Sequence, residues 1–177
     1  PLSVSARLGR LQFHLSGKFR VLQCADVQDG LRISQDTIRL IASACDAVRP
    51  DLVVFSGNQI AGYEKVFAKT FQRRRWQESS NISASDKKQL VDKVHEFVAK
   101  LMKPLEDRSI PWVVTYGNHD FQCGLSNEEL DKIYQDFPCC MNRSASNASS
   151  ASAMQSTKCV LPKPVSYTHL TLPTSDL

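Results

Sequence analysis

The chain has 177 residues, with 42% hydrophobic and 23% charged side chains and a formal net charge of +4. That length and composition suit one soluble domain with a sizeable core and exclude a low-complexity or collagen-like chain. No apolar run reaches the length of a membrane span, and the mild charge gives no reason to expect nucleic acid as a partner.

Residues 1–18 carry little pattern beyond the alternation of Leu11, Phe13 and Leu15, which predicts a lead-in edge strand. The chain opens on Pro1, and no charged-then-apolar leader follows, so the expectation is that residues precede it. Phe19–Asp26 reads as a strand ending in an acid. Ser34–Val48 reads as a helix with Ile38, Ile41, Cys45 and Val48 on one face, stopped at Arg49-Pro50-Asp51. Leu52–Ser56 is a continuous apolar run, as in a buried parallel strand, and it ends in Gly57-Asn58-Gln59.

Tyr63–Gln77 is helix-like and closes on Arg73-Arg74-Arg75-Trp76. The basic run fits the C-terminal end of a helix dipole better than a nucleic-acid contact. Asp86–Leu105 is the strongest helix, with Leu90, Val94, Phe97, Leu101 and Leu105 as its buried stripe and His95 beside them, partly exposed. Ile110–Tyr116 is a third strand, ending in Gly117-Asn118-His119-Asp120. Ser126–Glu129 is a capping box that opens a helix to about Asp136. Arg143–Thr157 is a Ser/Ala/Asn-rich loop. The six cysteines fit no zinc-knuckle spacing. Cys24 and Cys45 are expected as buried free thiols, which suits a reducing compartment.

Strand and helix alternate, which predicts an α/β fold with a mostly parallel sheet flanked by helices. Ligands in such sheets bind beyond the carboxyl ends of the strands, and all three strands here end in polar clusters. Those clusters, Asp26-Val27-Gln28, Gly57-Asn58-Gln59 and Gly117-Asn118-His119-Asp120, resemble the ordered motifs of calcineurin-like metallophosphoesterases, near the purple-acid-phosphatase-like group.

The resemblance covers Phe19 to Pro138. It implies a partial metallophosphoesterase β-sandwich and a hydrolase or phosphatase acting on a phosphate-ester substrate. It also implies two divalent metal ions about 3.5–4 Å apart. By resemblance Asp26, position 28, position 58 and Asn118 are metal ligands, with position 58 bridging. His119 stands beside the leaving oxygen, with Asp120 orienting its imidazole.

Two positions depart from that pattern. Gln28 stands where a His is expected, and Asn58 where the bridging Asp is expected. An amide oxygen in place of imidazole favours Mn, Fe or Mg over Zn. A neutral amide bridges two cations poorly. Retained hydrolysis, weak single-metal activity and an inert site serving as a non-catalytic binding module are all compatible with these departures. Asp29 is the nearest extra carboxylate, but strand geometry points it away from Gln28.

Val165–Thr174 resembles the translation of a transposon-derived sequencing adaptor. Residues 1–164 are therefore expected to be the N-terminal part of a metallophosphoesterase domain, and 165–177, including His169, non-native. The family's later histidines do not occur between Asp120 and Pro164. The expectation is an inactive fragment of an active parent, with Val53, Phe55 and Val113 bare where a second layer is missing.

Overall fold

The computed structural model describes residues 2–74 and 82–142, which belong to one compact unit. Arg75, Trp76 and Gln77 at the end of the basic run, the 143–157 loop, Cys159 and the 165–177 tail lie outside the described residues.

Three parallel strands form the sheet in the order β1 (Val21–Cys24), β2 (Leu52–Ser56), β3 (Trp112–Thr115). Val53 stands between Leu22 and Trp112, and Phe55 between Cys24 and Val114. Alternation therefore puts these six on one face. Val53, Phe55 and Trp112 are fully buried there and Val114 nearly so. Each such side chain contributes roughly 1.5–3 kcal/mol by leaving water. This corrects the expectation that Val53 and Phe55 lie bare, because they point at the helices. The other row holds Val21, Gln23, Val54 and Val113 and is half-exposed, with Gln23 Nε2 donating to Ser56 Oγ across the strands at 2.9 Å.

The helices that cover the buried face follow the sequence closely. Gln35–Val48 (here α2, after a short α1 at Val4–Leu8) starts where Ser34 Oγ accepts the Asp36 N–H. It buries Ile41 and Cys45 but leaves Val48 exposed. Ala84–Glu106 (α3) starts at Ser83, buries the whole expected stripe and packs between α2 and Asn127–Gln135 (α4). The capping box of α4 is formed in both directions between Ser126 and Glu129. Past α4 the chain returns to the outer edge of β3. Cys140 bridges to Trp112 in parallel, and the Asn142 side chain bonds both backbone groups of Val114 (2.9 and 3.0 Å). Two edge groups that a strand would otherwise pair are thereby satisfied by an amide.

Two expected elements are absent, each for a local reason. Residues 11–15 form no strand, and Phe13 and Leu15 are exposed. The N-terminal segment is instead pinned through the buried Asp51, which accepts from His14 Nε2 (2.9 Å), the Arg20 N–H (3.0 Å) and the Ser5 N–H (3.4 Å). Tyr63–Gln77 is no helix over its described part. Only a 3-10 turn forms at Lys65–Phe67. Thr70 Oγ1 donates to the Cys123 carbonyl (2.6 Å), and the Gln72 N–H donates to the Gln122 carbonyl (3.1 Å). The segment spends its bonds as a strap on the Asp120–Cys123 turn, which competes with coiling.

Candidate active site

The three strand-end clusters converge. Beyond the strands, the loops after β1 and β2 continue side by side, with the Asp26 N–H on the Gly57 carbonyl (3.1 Å) and the Gln28 N–H on the Asn58 carbonyl (2.9 Å). Asp26, Gln28 and Asn58 all adopt positive φ (52°, 43° and 57°). Left-handed backbone at three non-glycine positions costs on the order of 1 kcal/mol or more each and clusters at functional sites.

At the centre is Asn58. Its Nδ2 donates to Asp26 Oδ1 at 2.9 Å and to Asn118 Oδ1 at 3.2 Å, while its Oδ1 accepts the His119 backbone N–H at 2.9 Å. Gly117 makes room for this, since a Cβ there would stand 2.1 Å from Asn58 Oδ1. Gln28 Nε2 adds a second donor to Asp26 Oδ1 (3.0 Å), and Tyr63 OH donates to Gln28 Oε1 (3.1 Å). The hydrogen bonds from Asn58 and then Gln28 hold the exposed Asp26 carboxyl below its usual range. The Asp29 carboxylate faces away, as expected. Its Oδ2 accepts from the Ser34 N–H and Thr37 Oγ1 at the start of α2.

His119 enters the site from the third cluster. Its Nδ1 lies 2.8 Å from Gln122 Oε1, and its Nε2 lies 3.2 Å from Asn118 Nδ2. An amide oxygen on one side and an amide N–H₂ on the other select the tautomer with the proton on Nδ1 and a lone pair on Nε2. The Tyr63 ring meets the imidazole edge-to-face at 4.9 Å.

Asp120 does not play its expected part. It is fully buried, and both oxygens serve backbone donors: Oδ2 accepts from Asn58 and Gly117 (2.7 Å each), and Oδ1 accepts from Ile60 (3.0 Å). The buried Gln59 amide, oriented to satisfy its neighbours, donates to Asp120 Oδ1 (3.1 Å) and accepts the Gly57 N–H (3.0 Å). Asp120 ties the second and third loops together, while Gln122 orients the imidazole. Sequence reasoning passed over Gln122 and Tyr63. The one available signal for Gln122 was its position three residues after His119 in a tight turn.

These residues do not fit a bridged metal pair. Asp26 is the one carboxylate among Asp26, Gln28, Asn58 and Asn118. Among the described residues no group of three or more His, Cys, Asp or Glu is arranged to hold a metal ion. The decisive atom is Asn58 Nδ2, which points its hydrogens at the two oxygens a cation would need. Turning the amide over would set its N–H₂ against the His119 N–H, so the orientation is fixed by its neighbours.

Comparison with known proteins agrees with the fold. The chain is 26% identical over 144 residues to phosphatase DCR2 of Saccharomyces cerevisiae, covering 73% of this chain and 21% of that protein. It is 25% identical over 136 residues to the probable inactive purple acid phosphatase 28 of Arabidopsis thaliana, covering 68% of this chain and 28% of that protein. The chain thus spans between a fifth and a little over a quarter of the length of these curated relatives. No solved structure matches. The calcineurin-like phosphoesterase profile matches residues 19–161, from just before the first strand past all three clusters, and the chain belongs to that family.

Proposed function

We propose that this chain is a calcineurin-like phosphoesterase domain that keeps the family's fold and serves binding, without the family's two-metal hydrolysis. The observation that supports this reading is the Asn58 amide, donor side toward Asp26 and Asn118 and acceptor side held by the His119 N–H. Without cations the site carries a lone carboxylate, which repels a phosphate dianion. The test is turnover of p-nitrophenyl phosphate and its bis-ester with Mn²⁺, Fe²⁺, Mg²⁺ or Zn²⁺. No turnover above the metal blank is expected. Metal-dependent turnover that disappears in His119→Ala would overturn the reading.

The second reading is metal-dependent phosphoester hydrolysis at a two-metal site, the chemistry of the family. It is favoured by the geometry of Asp26 and His119: an exposed carboxylate kept ionised, and an imidazole whose Nε2 faces the same cluster. Under it, His119→Ala would lower turnover by roughly 10²–10⁴ on poor leaving groups. As the ring stands, Nε2 accepts rather than donates, so proton donation requires the Asn118 amide to release it first.

A further inference from the structure

Away from the strand-end cluster, the strap and α3 enclose a cleft of about 320 Å³. Lys65 and Lys69 line it from the strap, and Lys93 faces them from α3. Elsewhere on α3, Lys87 has Glu129, Lys100 has Glu96 and Lys103 has Asp107, while Lys88 has no acid among the described residues. Lys65, Lys69 and Lys93 have none among the described residues. Among the described residues the one acid lining the cleft is Asp86, which accepts from Ser83 Oγ at 2.7 Å and keeps its charge. Three lysines against one aspartate leave the described lining with an excess of positive charge, and the repulsion among the ammonium groups is relieved when an anion enters.

Part of the wall between the charges is apolar, beside the polar Thr70 and Gln89. Leu31 and the half-exposed Val66 flank the cleft, over the buried Phe67 and Leu90. A volume near 300 Å³ with an apolar patch beside polar groups that can fix orientation suits a small molecule.

We propose that this cleft binds a small organic phosphate, with its phosphates between Lys65, Lys69 and Lys93 and its planar or apolar part against Leu31 and Val66. The inference is independent of whether the strand-end site hydrolyses anything.

The test is calorimetry on the full chain with adenosine diphosphate, adenosine and inorganic pyrophosphate. Adenosine diphosphate should bind, adenosine should not, and pyrophosphate should bind more weakly than the nucleotide. Each charge reversal should weaken nucleotide binding by about tenfold, so Lys69→Glu with Lys93→Glu should cost about a hundredfold. Lys93→Gln, a milder change on an exposed side chain, should cost less. Raised salt should weaken binding as well. His119→Ala should leave it unchanged. Absence of nucleotide binding, insensitivity to the lysine changes, or loss in His119→Ala would each overturn the proposal. Equal affinity for pyrophosphate would also overturn it, because the apolar patch would then do nothing.

Discussion

Asn58 Oδ1 and the backbone N–H of His119 meet at 2.9 Å across sixty-one residues of sequence. That bond decides which end of the Asn58 amide faces Asp26. An aspartate at this position could accept the same N–H with one oxygen and still offer the other to a cation. The asparagine can do only the first. One atom, nitrogen in place of oxygen, therefore separates this site from one with a shared anionic ligand.

The first prediction follows from that exchange. Asn58→Asp should raise Mn²⁺ affinity in calorimetry by at least about tenfold, because it replaces two N–H donors with a charged acceptor. Combining it with Gln28→His should raise affinity further and shift preference toward Zn²⁺. Unchanged heats for both variants would mean that position 58 does not face the cation position.

Asp120 should matter for stability more than for any ligand. Asp120→Ala orphans three backbone N–H groups that its two oxygens accept, at Asn58, Ile60 and Gly117. At roughly 1–3 kcal/mol for each buried unsatisfied donor, partly relieved by water, a loss of about 3–5 kcal/mol is expected in denaturant unfolding. Gln122→Ala, which frees only the imidazole, should cost under about 1 kcal/mol. Equal small losses for the two would show that Asp120 is not the tie between the loops.

Gly62 sits where a Cβ would come within 2.3 Å of the His119 carbonyl oxygen and 2.5 Å of the Cys123 nitrogen. Both are backbone atoms that cannot swing aside. Gly62→Ala should therefore destabilise by roughly 1–3 kcal/mol and lift the strap with Tyr63 away from His119. Thermal unfolding gives the first effect, and the chemical shift of the His119 ring gives the second. A wild-type melting point with an unmoved ring would contradict the close packing.

The acid limb of stability should depend on Asp51. Burial raises its pKa, but hydrogen bonds from the Arg20 N–H, His14 and Ser5 outweigh burial, and the folded value lies below the unfolded one. A depressed carboxyl stabilises the fold above the unfolded pKa of about 3.9 and loses that contribution as pH falls through the folded value. Wild-type stability should thus drop below about pH 4. Asp51→Asn should be less stable at pH 7 and flatter between pH 5 and 3. Parallel profiles for the two proteins would rule out Asp51 as the source.

Periodicity, caps and strand-end clusters are local, and the sequence determined them: α2, α3 and α4, the three strands, the capping box at Ser126 and Glu129, and the convergence of Asp26, Asn58 and Asn118. An amphipathic stripe or a capping side chain acts within a few residues, so its consequence is written beside it. Two departures, Gln28 and Asn58, were equally visible as letters. Their meaning was not, because the direction of an amide depends on neighbours distant in sequence. Tertiary structure alone decided that Asn58 turns its nitrogen inward, that Asp120 bonds backbone rather than imidazole, and that Gln122 takes the imidazole instead. It likewise decided that Tyr63–Thr70 is a strap, since bonds to Cys123 and Gln122 outweighed the helical propensity of that segment. Hydrogen bonds between loops are specific in distance and angle, and a sequence states the donors and acceptors without stating which of them meet.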